Sequence, residues 1–123
     1  MKAVPTPSYN PQHKAVLDSI LLKVPGVKPG RMFGYPAYYV NGKLFACAYD
    51  EGVGIKIPEQ LARELLDQKR AIPFQPLGKA KMREWVQINH KRSTDYTKDH
   101  EILIRSVQFV ASLAKATPRS KSR

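Results

Sequence analysis

The side chains able to do covalent or acid–base chemistry in these 123 residues are one cysteine, three histidines and ten carboxylates. Cys47 sits mid-pattern in Phe45-Ala46-Cys47-Ala48. A nucleophilic thiol needs a nearby base and an electropositive, partly open setting, whereas an isolated cysteine usually packs as a small apolar group. His90 or His100 beside Cys47 in a cleft is the arrangement that would make an enzyme of it. His13, His90 and His100 form no i, i+4 pair, and no cysteine or carboxylate stands at ligand spacing from them. They read as surface histidines, with no metal site expected. Asp50-Glu51 reads as a turn, and Glu59, Glu64 and Asp67 as a solvated helix face, with no spacing that pairs two acids across a cleft. Gly52-Val53-Gly54 lacks the third glycine and the helix of a dinucleotide fingerprint, and no Gly-x-x-x-x-Gly-Lys-Ser/Thr loop exists. The expectation is a protein without catalytic residues, cofactor or metal.

What the chain does carry is charge. Lys and Arg number 21 against 10 Asp and Glu, a net of +11, and such a field attracts polyanions. Lys79, Lys81 and Arg83 lead into one strand pattern, and Lys91 and Arg92 follow it, with Glu84 the one acid among them. Lys115, Arg119, Lys121 and Arg123 close the chain with no acid. These nine are the candidate phosphate contacts to nucleic acid. Such contacts release counterions and are salt-sensitive, and they carry no base information. The alternative is a solvated loop and an idle tail.

A second surface candidate is aromatic. Phe33, Tyr35, Tyr38, Tyr39, Phe45 and Tyr49 lie on neighbouring strand patterns. If Tyr35, Tyr38, Tyr39 and Tyr49 face outward, they suit a protein-interaction adaptor or base stacking. If they face one another across strands, they only stabilise a hairpin. The partner classes are therefore nucleic acid or a protein, with the chain itself a monomer or weak homodimer.

The elements that must position these residues follow from periodicity and turn chemistry. Asn10-Pro11 reads as an N-cap with proline at the first helical position, and Val16, Leu17, Ile20 and Leu21 repeat at helical spacing to about Lys23. Val24-Pro25-Gly26 stops that helix, and Lys28-Pro29-Gly30 reads as a further turn. Arg31 to Val40 is extended, and Pro36 within it points to an edge strand or a bulge. Asn41-Gly42 is a hairpin turn into Lys43 to Tyr49. Asp50-Glu51-Gly52 turns again into Val53, Ile55 and Ile57. Pro58 opens a second helix whose buried stripe is Leu61, Ala62, Leu65 and Leu66. Ala71 to Lys81 reads as a loop, Met82 to Ile88 as a strand with Arg83, Trp85 and Gln87 on one face, and Asn89 to Tyr96 as a loop. A third helix is expected over Thr97 to Ala114.

The fold class is α+β: an antiparallel sheet of about four or more strands, built on a β-hairpin and packed by three helices, in the order α-β-β-β-α-β-α. One domain over residues 10–116 is expected, with a flexible lead-in over 1–9 and a basic disordered tail over 117–123. Met1 to Asn10 has no apolar run, no stretch approaches a membrane span, and the lone cysteine forbids an internal disulfide. A cytoplasmic, membrane-free location is the simplest expectation.

Arg31-Met32-Phe33-Gly34, then Asn41-Gly42-Lys43-Leu44-Phe45-Ala46, resembles the TfoX N-terminal domain family, with Lys56 and the following Glu-, Arg- and Leu-rich helix continuing the likeness. Pro73, Gly78-Lys79, Trp85-Val86-Gln87-Ile88 and Ser106-Val107-Gln108-Phe109-Val110 look more like the related MmcQ/YjbR proteins. The resemblance covers about Val16 to Leu113. It implies an α+β fold with an antiparallel sheet packed by helices, a regulatory role of the kind competence regulators have, and possible DNA binding. It transfers no catalytic residue. Full-length TfoX proteins carry a second, C-terminal domain; the resemblance here is to the N-terminal one.

Overall fold

The computed structural model describes residues 8–76 and 82–116, the last three of these by their backbone alone. Asn10 caps α1 (Pro11–Leu21): its side-chain oxygen accepts from the amides of Gln12 at 2.9 Å and His13 at 3.4 Å, with Pro11 in the first turn. The apolar stripe then delivers Leu17 and Leu21 fully buried.

Among the described residues the sheet has six strands, all antiparallel: β1 (Val27–Met32), β2 (Tyr35–Val40), β3 (Lys43–Tyr49), β4 (Gly52–Lys56), β5 (Ile72–Pro73) and β6 (Trp85–Asn89). Their spatial order is β1-β2-β3-β4-β6-β5. Two hairpins share one turn chemistry. Asn41-Gly42 has φ of 52° and 77°, and Phe33-Gly34 has 51° and 87°. Both central residues of each turn therefore lie in the left-handed region, which matches the strand twist.

Two expectations change. Lys28-Pro29-Gly30 is not a turn but the middle of β1, an edge strand whose exposed Lys28, Pro29 and Arg31 blunt it against pairing with other chains. Pro36 consequently lies on β2, an interior strand. It is tolerated because the β2–β3 ladder starts one residue later, at Ala37 opposite Cys47.

The helix α2 (Glu59–Asp67) buries Ala62 and Leu65. After β6 a 3-10 helix (Ser93–Asp99) occupies much of what reads as a loop, and α3 (His100–Ala116) follows it. The lead-in is anchored from Ser8 onward: the Asp50 amide donates to the Ser8 carbonyl, and Tyr9 bridges to Asp50.

All three helices feed one core, in which Leu17, Leu65, Leu103 and Val107 pack with Tyr38, Phe45, Val53, Ile55 and Ile88 of the sheet. Ser106, fully buried on α3, ties that helix to the sheet by its hydroxyl, 2.6 Å from the Lys56 carbonyl and 3.3 Å from that of Phe45. A smaller cluster is centred on Ala37, Cys47 and Phe74, with Met32, Tyr39, Leu44, Tyr49, Met82 and Trp85 around it. Here the chain leaving β5 supplies the cover. The Phe74 ring lies so close on Gly54 that a β-carbon there would come within 2.7 Å of it. No helix among the described residues is long and apolar enough to cross a membrane.

Candidate functional site

Strand β6 separates the basic residues into two groups. Five strand residues at about 3.3 Å each put roughly 16 Å between its ends. Arg83 lies at one end, exposed, and Lys91 and Arg92 at the other, also exposed.

At the Arg83 end the prominent side chain is Trp85, half-buried. Its ring leans on Phe74, with centroids 5.5 Å apart and planes at 32°. Two hollows flank it. One is lined by Arg63, Leu66, Met82 and Arg83 among others. The second takes in Lys43, Leu44, Lys56 and Leu113. Pairing with Glu84 at 3.8 Å and Glu59 at 3.2 Å engages Lys56 and Arg63, but partly exposed pairs of this kind are weak. The position of Trp85 on one strand face is legible in the sequence. Its place between two cation-rimmed hollows depends on α2, α3 and β3, which are distant in sequence.

At the far end the basic residues meet a polar network. His90 Nε2 lies 2.5 Å from Asp99 Oδ2, and Asp99 is buried. The Tyr96 hydroxyl sits 3.0 Å from His13 Nδ1 and 3.3 Å from the Glu51 carbonyl, and its ring meets both histidines edge-on. Burial, then the charges of Asp99 and Glu51, push the Tyr96 phenol well above its ordinary range, so it stays protonated. Asn10 reaches the same corner by donating to Glu51 Oε1 at 2.9 Å. This corrects the expectation of three surface histidines: His13 is buried, His90 is half-buried and only His100 is exposed. No short-range pattern marks the group, since His13 and Tyr96 are 83 residues apart.

A carboxylate–histidine pair orients a base in nucleophilic catalysis only when a hydroxyl or thiol stands before it. Cys47 does not take that part. It is fully buried in the other cluster, against Ala37 and Phe74, where burial pushes the thiol up to about 12. His90 and Asp99 instead pin the segment after β6 to the start of α3. Among the described residues, no three of His, Cys, Asp and Glu gather as a metal-holding group.

The tyrosines are mostly inside. Tyr38 is buried and donates to Asp18 Oδ1 at 2.6 Å, with burial foremost in raising its phenol far above the ordinary range. Tyr35 is buried against Tyr49 at 4.9 Å between centroids, and Tyr49, half-buried, also meets Phe74 edge-on. Tyr39 is half-buried, and its hydroxyl donates to the Arg31 carbonyl. Tyr35 and Tyr38 therefore do not form a contact surface; their partners lie within the fold. The exposed aromatic of this region is Phe33, 61% accessible at the hairpin tip.

Lys79, Lys81, Arg119, Lys121 and Arg123 lie outside the described residues, as does the Lys115 side chain. Fourteen Lys and Arg and all ten acids fall in residues 8–76 and 82–113, a net of +4. The remaining seven cations, with no acid among them, fall in the rest of the sequence.

No curated protein matches the chain. The sequence model of the TfoX N-terminal domain matches residues 19–110, from within α1 to α3, and so takes in the whole sheet, the His90–Asp99 pair and the lining of the hollows beside Trp85 except Leu113. On that span the chain belongs to the TfoX N-terminal domain family.

Proposed function

We propose that this protein is a non-enzymatic, nucleic-acid-associated regulatory module that works in the cytoplasm and holds phosphates through basic side chains around a moderately basic body. The observation that carries the reading is where the unopposed charge attaches. Lys79 and Lys81 directly precede Met82, which lines one hollow beside Trp85. Lys115, Arg119, Lys121 and Arg123 follow Leu113, which lines the other. In sequence, six cations thus adjoin residues that line the hollows beside Trp85, with Arg83 exposed at that end of β6, while Lys91 and Arg92 add a second contact at the opposite end. Six phosphate contacts give affinity that drops steeply with salt, roughly a thousandfold between about 0.05 and 0.2 M.

The test is affinity for DNA and RNA across a salt series, with the intact chain and one truncated after Ala116. Sub-micromolar binding at low salt and a shallower slope on truncation are expected. Lys91 and Arg92 changed together to Glu weaken binding to all sequences alike, because phosphate contacts carry no sequence information. Absence of binding at about 0.05 M salt defeats the reading.

A second reading, an adaptor that docks a protein partner at the β1–β2 hairpin, is favoured by Phe33. A bulky aromatic is held at positive φ and left exposed, at a cost of about 1 kcal/mol or more. An exposed aromatic anchor suits an interface. A partner that binds at physiological salt and is lost in Phe33→Ala would support it.

A further inference from the structure

We propose that the surface around Trp85 takes an unpaired base, which makes the preferred ligand single-stranded nucleic acid; this rests on the nucleic-acid reading above and names its substrate class. Three observations converge. Trp85 is half-buried with Phe74 behind it, so the indole is braced on one side and open to the hollows on its flanks. The rims carry Lys43, Lys56, Arg63 and Arg83 against Glu59 and Glu84, so an anionic strand fits better than an acidic-poor, apolar peptide. The two cation-bearing stretches of sequence adjoin these same hollows at Met82 and Leu113.

A phosphate chain with an apolar base face every few ångströms satisfies all three. The base stacks on the indole and its flanking phosphates meet Arg83 and Lys43 or Lys56. A duplex cannot do this, because its base faces are covered by their neighbours in the stack, and a ring set in a hollow does not reach into a groove. Stacking on an aromatic also tolerates any base, because every base has a π-face.

Trp85 is the one tryptophan of the chain, so it reports on its own occupancy. The experiment titrates the intact protein at low salt with four probes of about twelve nucleotides: a single-stranded oligothymidylate, the same length of single-stranded RNA, a duplex, and an abasic phosphate–sugar oligomer. The inference expects saturable quenching of Trp85 by both single strands, and about tenfold weaker binding without quenching by the duplex and the abasic oligomer. Trp85→Ala lowers single-strand affinity about tenfold with an unchanged salt slope, and Trp85→Phe restores most of it. Arg83→Glu, at an exposed position, flattens the salt slope and leaves the quenching amplitude at saturation.

Equal binding of all four probes with unquenched fluorescence overturns the inference and leaves the nucleic-acid reading standing. No binding of any probe overturns both, and leaves the surface to a protein partner. If Trp85→Ala fails to fold, the quenching and the abasic comparison on the intact chain still decide.

Discussion

The two ends of β6 carry similar charge and opposite surroundings. At the Asn89 end, Lys91 and Arg92 stand over a corner in which Asp99, His90, Tyr96, His13 and the Glu51 carbonyl satisfy one another. At the Trp85 end, Arg83 borders a hollow walled by Leu66 and Met82, Leu44 lines a second, and Trp85 belongs to both. A polar network of this kind rigidifies a fold, and among the described residues the hollow beside it is lined by polar and charged residues only, Glu51, Asn89, His90 and Lys91. An aromatic edged by cations, with its apolar surface incompletely covered, suits the stacked base proposed above. Positive charge alone does not distinguish the two ends; what lies beneath it does.

The largest effect that would sharpen this contrast is on the closed end. Asp99→Ala removes the carboxylate from a buried pair and leaves His90 without its partner, which should cost about 3 kcal/mol in urea unfolding while nucleic-acid affinity of the folded protein stays the same. A loss below about 1 kcal/mol would mean that the corner is not the rigid end.

On the other side, Gly54→Ala drives a β-carbon into the Phe74 ring. We expect about 2 kcal/mol of destabilisation and, because Phe74 braces Trp85, a shift in Trp85 emission. Unchanged emission would uncouple the brace from the binding surface.

The thiol beneath that brace sets a pH dependence. Cys47 is raised from an ordinary 9.0 to about 12 in the fold, so between those values the unfolded chain releases a proton that the folded one keeps. Its contribution is fully present below pH 9 and is lost as pH rises, by about 1.4 kcal/mol per pH unit. The stability difference between the native protein and Cys47→Ala, measured from pH 8 to 11, isolates this slope from the tyrosines and lysines. A difference that does not vary with pH would contradict it.

The smallest effect returns to the corner. Tyr96→Phe keeps the ring between His13 and His90 and deletes one hydroxyl, for about 1 kcal/mol. If it costs as much as Asp99→Ala, the phenol rather than the carboxylate centres the network.

Much of the architecture was legible before any coordinates. Asn10-Pro11 starts α1, Asn41-Gly42 turns a hairpin, and Val53 and Ile55 face the core because caps, primed turns and alternation act through neighbours in sequence. β1 escaped because Lys28-Pro29-Gly30 carries two breakers, which only an edge position allows. Pro36 misled for the same reason in reverse: a ladder that begins one residue later needs no amide from it.

The sequence by itself determined the α+β class, the family likeness, the excess of cations and which strand carries them at its ends. Tertiary structure alone decided that Tyr35 and Tyr38 turn inward, that His13 is buried beneath Tyr96, that Cys47 is sealed away from every histidine, and that Trp85 lies between hollows lined by residues from five other elements. The physical reason is range. Propensity and pattern bind residues a few positions apart, whereas burial and partnership depend on which surfaces meet when the sheet closes, and those meetings join positions as distant as His13 and Tyr96.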